Sequence, residues 1–291
     1  MLNVSQLFEH QPKLGGIMKK SFGNLIKALG FAAALGTAPA AQAVILTDVV
    51  MIVDESGSMG TVQANLRNNI GLFASILSAG GVDARYGLVG YGNSQVVPRM
   101  LTNLTDAATF ATAAQGLQIN GGTEPGYTAT AFALNQLDNQ SSLFSFRANA
   151  VKNIIIFTDE PHNGTSLSYG TYNGATVTFA AIDQILTDAN ALFNAVLSGT
   201  STINSYGPLA TGHGGNVYAL SGLNTNDQSA VQTFVDAFAR SKLQEILDFC
   251  DLNPNDPACQ GGNPAIPEPG ALALLGIGLM GLAAMRRRKT A

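Results

Sequence analysis

Asp54, Ser56 and Ser58 alternate in the string Asp54-Glu55-Ser56-Gly57-Ser58-Met59-Gly60. Thr123 follows Gly121-Gly122, and Asp159 precedes Glu160-Pro161. All five side chains are hard oxygen donors. In an extended turn, alternate residues can aim Asp54, Ser56 and Ser58 at one point, and Gly57 permits the sharp bend. Magnesium takes six oxygens at about 2.0–2.1 Å and usually keeps several waters. Two carboxylates and three neutral hydroxyls would leave the ion with residual positive charge. Such an ion can recruit a carboxylate from a partner. Asp54, Ser56, Ser58, Thr123 and Asp159 are therefore the candidate metal residues, for Mg²⁺ or else Mn²⁺ or Ca²⁺.

Other chemistry has weaker support. Glu55, Glu124, Glu160 and His162 are candidate bases for a metal-dependent hydrolase, but no two of them are spaced as an acid–base pair. Thr211-Gly212-His213-Gly214-Gly215 lacks an accompanying Gly-x-Ser-x-Gly elbow and reads as a turn. Gly121-Gly122 is followed by no Gly-Lys-Ser/Thr, so it is no phosphate loop. Cys250 and Cys259 are the two cysteines. In an exported chain they can close a loop as a disulfide or stand as independent thiols. Neither shows zinc-ligand spacing with His.

The elements that must position these residues alternate. Ile45–Val53 is a β-branched apolar run, as a strand covered on both faces requires. Residues 61–79 place Val62, Leu66, Ile70, Phe73 and Leu77 at helical steps. Strands follow at Ala84–Tyr91 and at Ser94–Leu101, where Pro98 demands a sheet edge. Helices are expected at 106–115 and 127–137, and a strand at Val151–Thr158. Then come a helix over 179–192, strands over 193–197 and 216–220, and a helix over 227–247. This order predicts an α/β fold: a doubly wound, mostly parallel sheet with helices on both faces. In such sheets ligands bind at the carboxyl ends of the strands, where all three candidate loops fall.

Charge narrows the partners. Between Val44 and Ile266 there are seven basic and 17 acidic residues. A body with that acidic excess does not present the clustered Lys and Arg that nucleic acid needs. The basic residues gather at the ends. Residues 18–43 place Lys19 and Lys20 before an apolar run, Leu25–Leu35, and close on Ala41-Gln42-Ala43, the pattern of a secretory signal peptide. Glu9, His10 and Pro12 fit poorly ahead of it, so translation is expected to start at Met18 and the mature chain near Val44. Residues 250–266 carry three prolines and read as a linker. The far end runs Pro267-Glu268-Pro269, an apolar stretch at 271–285, then Arg286-Arg287-Arg288-Lys289. Fifteen apolar residues make a helix of about 22 Å, read as a short transmembrane sorting helix with its positive end in the cytoplasm.

Two resemblances follow from these residues. The far end resembles the PEP-CTERM sorting signal of Gram-negative bacteria. This implies processing by an exosortase near the triplet, passage through the inner membrane, and a final place on the cell surface or in a biofilm matrix. Asp54-x-Ser56-x-Ser58, with Thr123 after two glycines and Thr158-Asp159 after an apolar strand, resembles the von Willebrand factor type A domain and its metal-ion-dependent adhesion site. The resemblance implies that Ser56, Ser58 and Thr123 bind the ion directly and that Asp54 and Asp159 act mostly through waters. It also implies that admitting the Thr to the ion accompanies a shift of the last helix. Glu160-Pro161 departs from the family's usual Gly after the second Asp. The expected organisation is an extension and signal peptide over 1–43, the type A domain over 44–249, a linker over 250–266 and the sorting signal over 267–291. The expected function is non-enzymatic: adhesion to an acidic protein or polysaccharide through a divalent metal. The alternatives are a metal-dependent hydrolase and a matrix protein with a purely structural metal.

Overall fold

The computed structural model describes residues 44–260. A six-stranded sheet forms its centre, built from β1 (Ile45–Asp54), β2 (Val82–Tyr91), β3 (Arg99–Thr105), β4 (Val151–Thr158), β7 (Ala191–Leu197) and β8 (Val217–Ala219), in the order β3-β2-β1-β4-β7-β8. The two-residue strands β5 (Thr171–Tyr172) and β6 (Ala175–Thr176) make a separate hairpin. Every pairing in the large sheet is parallel except β2 with β3. From β1 the chain first winds towards β2 and later returns on the other side at β4. The carboxyl ends of β1 and β4 therefore flank a topological switch point, where α/β sheets open a crevice.

Side chains alternate across each central strand. Val49, Met51 and Val53 of β1 join Ile155 and Phe157 of β4 on one face. Val50 and Ile52 join Ile154 and Ile156 on the other. The first face is covered by α1 (Gly60–Ala79), α2 (Ala107–Ala113) and α6 (Gln228–Leu252), through residues such as Phe73, Phe110 and Phe238. The second is covered by α3 (Gly126–Ala133), α4 (Phe179–Asp188) and α5 (Thr200–Gly212), through Tyr127, Ile182 and Tyr206. The expected α/β architecture, a mostly parallel sheet with helices on both faces, is present.

Several expectations need correcting. The strand placed at Ser94–Leu101 lies at Arg99–Thr105. Pro98 excludes ladder donation and the strand starts after it. The helix expected over 179–192 ends at Asp188, and Asn190 turns the chain with φ of 47° into β7. α5 was unforeseen. The last helix runs on to Leu252, so residues 250–252 are helix rather than linker. Cys250 and Cys259 form a disulfide that folds the following segment back, and Ala258 is buried. The transmembrane sorting helix is also corrected: among the described residues no helix is long and apolar enough to cross a membrane. The segment 271–285 itself, like the signal peptide within 1–43, lies outside the described residues.

Candidate functional site

Asp54 ends β1 and is fully buried. Its Oδ1 accepts the Ser56 N–H at 2.7 Å, and its Oδ2 accepts the Thr158 hydroxyl at 2.7 Å. The first bond curls the chain after β1 into a turn. The second ties the end of β1 to the end of β4. The Ser56 and Ser58 hydroxyls lie 3.1 Å apart. Ser56 is nearly buried, whereas Ser58 is exposed on the 3-10 turn Gly57–Met59 that leads into α1.

The loop carrying Thr123 is bound to this turn by backbone. Ser56 and Gly121 form a parallel β-bridge, and Glu55 O accepts the N–H groups of Asn120 and Gly121. A Cβ at Gly121 would lie 1.5 Å from Gly92 O, so only glycine lets this loop rest on the end of β2. Thr123 itself is wedged. Its methyl lies where a Cβ on Gly164 would approach to 2.8 Å, and its carbonyl lies 3.2 Å from a Cβ built on Gly92.

The third loop joins through Asn163. Its side chain donates to Glu124 Oε2 at 2.7 Å and accepts the Glu124 N–H at 2.8 Å, while its own N–H reaches Glu124 O at 3.1 Å. Asp159 starts this loop, with its carbonyl accepting the Thr202 hydroxyl from α5. Its Oδ1 is buried and, among the described residues, has no hydrogen-bond partner. The structure thus ties the three sequence-predicted loops to one another at the strand ends.

The electrostatics suit a cation. Burial pushes the Asp54 carboxyl up to about 7, against the hydrogen bonds from Thr158 and Ser56, with a smaller push from Glu124. Glu124 is raised too, by burial first and then by Glu160 and Asp159. Among the described residues neither Asp54 nor Asp159 forms an ion pair. A buried carboxylate in that state is costly unless a cation or a proton joins it. The orphaned Asp159 oxygen and the desolvated Asp54 are what a hard divalent ion would satisfy. Among the described residues no group of three or more His, Cys, Asp or Glu side chains gathers to hold a metal. The candidate donors are instead two carboxylates and three hydroxyls, on Asp54, Asp159, Ser56, Ser58 and Thr123.

The candidate hydrolase bases are largely committed elsewhere. Glu55 is fully buried and paired with Arg99, and also accepts Asn93 Nδ2 and the Gln118 N–H. Glu124 is held by Asn163. His162 stacks on Tyr127 with ring centroids 4.0 Å apart and accepts the Tyr127 N–H at Nδ1, and burial drops its pKa to about 4. Glu160 is exposed, and its N–H donates to the Thr158 hydroxyl at 3.1 Å. Thr158, Glu55 with Arg99, and Glu124 with Asn163 are the supports that the sequence did not single out. The Thr-Asp dipeptide at the end of β4 was the one available sign of the first.

Two known family patterns match the chain. The PEP-CTERM protein-sorting motif matches residues 265–289, which implies membrane-associated sorting and eventual surface or extracellular localisation. The chain has no match among curated proteins. The model of the von Willebrand factor type A domain matches residues 48–195, from within β1 to within β7. That match spans half of the chain, which therefore belongs to the von Willebrand factor type A domain family, in general one of non-catalytic adhesion and interaction modules.

Proposed function

We propose that the protein is an exported adhesion module that grips an acidic partner through a divalent cation. Asp54, Ser56, Ser58, Thr123 and Asp159 would hold the ion, Mg²⁺ in the first instance and Mn²⁺ or Ca²⁺ as alternatives. The ion would supply an open position for a carboxylate, from an acidic protein side chain or an acidic sugar. The observation that carries this reading is the pair of carboxylates at the switch point, one desolvated and one with a buried oxygen that nothing satisfies. Thr158 and the Ser56 N–H hold Asp54 in place, Asn163 holds the Thr123 loop through Glu124, and Glu55 anchors the turn between them.

The two ends of the chain supply the setting. A signal peptide over 18–43 would export the chain, and an exosortase would process it near Pro267-Glu268-Pro269. The type A domain over 44–249 would then face the surroundings of the cell, on its surface or in an extracellular matrix. The test is calorimetric titration of Mg²⁺ and Mn²⁺ into wild type and Asp54→Ala, followed by retention on carboxylated and neutral surfaces with metal and with chelator. Equal heats in wild type and variant would place any ion elsewhere. Retention unaffected by chelator would remove the bridging role.

A further inference from the structure

Away from the metal loops, α6 drives a lysine into the core. Lys242 is fully buried, with its Nζ 4.5 Å from the Tyr218 ring centroid and 5.3 Å from that of Phe238. Glu245, one turn on, accepts from Nζ at 2.5 and 2.7 Å through its two oxygens. Nζ also donates to Asn194 Oδ1. Asn194 is fully buried at the middle of β7. Its Oδ1 takes a second hydrogen bond from the Asn216 N–H at 2.8 Å, and its Nδ2 donates to Asn153 Oδ1 at 3.1 Å. A Cβ on Gly215 would fall 1.9 Å from Phe193 O and 2.6 Å from Asn194 Oδ1, so glycine there lets the backbone close over the amide.

A buried Lys–Glu pair by itself contributes little, because desolvating two charges offsets their attraction. The surroundings do more than pair charges. A carboxamide is held immobile, and the Asn216 N–H polarises its carbonyl oxygen as an oxyanion-hole donor would. An amine sits against it, and a carboxylate sits against the amine. Burial lowers the Lys242 pKa to about 8, which makes the neutral, nucleophilic amine accessible.

We propose that Lys242 and Asn194 are joined by an intramolecular isopeptide bond, assembled by Glu245 between buried Asn153 on one side and half-buried Tyr218 and exposed Asn216 on the other. Glu245 takes a proton from the ammonium, and the freed lone pair on Nζ attacks Cγ of Asn194. Negative charge passes to Oδ1, facing the Asn216 N–H. Glu245 delivers its proton to Nδ2 and accepts another from Nζ. The carbonyl re-forms, the Cγ–Nδ2 bond breaks, and ammonia departs, taking the last proton from Glu245 as ammonium. One amine and one primary amide become one secondary amide and one ammonia, with no oxidant or external reagent. Glu245 Oε1 is steadied meanwhile by Asn216 Nδ2 at 2.7 Å and by the Tyr218 hydroxyl at 3.1 Å. The bond would fasten α6 to β7 across 48 residues of sequence. Tension arriving from the C-terminal side would then meet a covalent cross-link before it could peel the helix from the sheet. The same link would oppose any large shift of α6.

The test is mass spectrometry on the purified full chain after reduction, denaturation and trypsin. No Lys or Arg lies between Lys152 and Arg240, so Asn194 falls in the fragment 153–240. The expected result is that this fragment is joined to the one beginning at Ser241, uncut after Lys242, with the pair lighter by one ammonia, about 17 Da. Glu245→Gln preserves the side-chain shape and should return 153–240 alone at its unmodified mass, with cleavage restored after Lys242, while the circular dichroism stays that of wild type. Separate fragments from wild type, with cleavage after Lys242, would overturn the proposal. So would an ammonia loss confined to 153–240. If Lys242→Ala or Asn194→Ala fails to fold, the wild-type fragment pattern still decides.

Discussion

Thr158 Oγ1 donates to Asp54 Oδ2 at 2.7 Å, joining residues 104 apart in sequence at the ends of two neighbouring parallel strands. The bond lies where the winding of the sheet reverses, so it closes the floor of the crevice that the fold opens. Nearby, the Tyr91 and Tyr206 hydroxyls are buried without partners among the described residues. Burial, with the Asp54 charge as a smaller cause, raises both phenols well above their ordinary range. Buried phenols therefore line the floor, and the Asp54 carboxylate depends on what arrives from above.

That dependence predicts a pH effect on the metal-free domain. The Asp54 pKa is about 7 in the fold against 3.8 as a free side chain. Between those values the folded state holds the proton and the unfolded state releases it, so stability falls as pH rises. The full cost, reached above pH 7, is on the order of 4 kcal/mol at 1.36 kcal/mol per unit. His162 has the opposite sign: its lowered pKa makes stability rise with pH between about 4 and 6.5. The net slope can thus be shallow, and the informative quantity is the difference between wild type and Asp54→Asn. In chelator, urea unfolding should show the variant gaining relative to wild type from pH 4 to 7. A constant difference would mean that Asp54 is not desolvated.

Gly164 tests the seating of Thr123. It has φ of +82°, and a Cβ there would meet Thr123 Cγ2 at 2.8 Å. Gly174 has φ of +76° with nothing within 4 Å of an added Cβ. Alanine at either position adds similar backbone strain, roughly 1 kcal/mol. Only Gly164→Ala should also displace Thr123 and weaken Mg²⁺ binding, by about tenfold if ~1.4 kcal/mol of coordination is lost. Titration of both variants is the check. Equal affinities would mean that Thr123 does not touch the ion.

The central strands were legible because a strand covered on both faces is an unbroken apolar run. Val151–Thr158 lies at its expected bounds. α5 was hidden because Pro208 and two glycines sit inside it, and its stability comes from packing Tyr206 and Leu209 rather than from propensity. The three candidate loops could be picked out because the spacing within each is local. Their supports could not. Arg99 reaches Glu55 from 44 residues away, and Asn163 reaches Glu124 from 39. Such pairings have no periodicity, and only the sheet order brings them together.

The Glu55–Arg99 pair should be structurally costly to break. Gly90 makes room for the carboxylate, since a Cβ there would lie 2.7 Å from Glu55 Cδ. Removing Arg99 would leave a fully buried carboxylate facing only Asn93 and the Gln118 N–H. Loss of one partner from a buried pair costs about 3–5 kcal/mol. The Arg99 side chain is 34% exposed, so water can reach the gap, and the lower end, about 3 kcal/mol, is expected for Arg99→Ala. Arg99→Met combined with Glu55→Gln should recover part of that loss, because no charge is then stranded. Denaturant unfolding of the single and double variants checks it. A double variant no more stable than Arg99→Ala would show that the charge was not the cause.

The last prediction concerns the chain beyond α6. Cys250 and Cys259 close a short loop, with Ala258 buried against the core and Asn190 Nδ2 bonded to Asp256 Oδ2 at 3.2 Å. Asn190 immediately precedes β7, so this loop docks at the amino end of the strand, opposite the metal loops. Closing a loop of about ten residues stabilises by about 2–3 kcal/mol through lost freedom of the unfolded chain. Cys250→Ser with Cys259→Ser should lower stability by that amount and let the amides of residues 253–260 exchange faster. Mg²⁺ affinity should stay at its wild-type value, because nothing in this loop reaches the carboxyl ends of β1 and β4. Hydrogen exchange and metal titration on the same samples read both effects. Unchanged exchange would show that the segment is held by packing alone, and a fall in metal affinity would show that the two ends of the domain communicate.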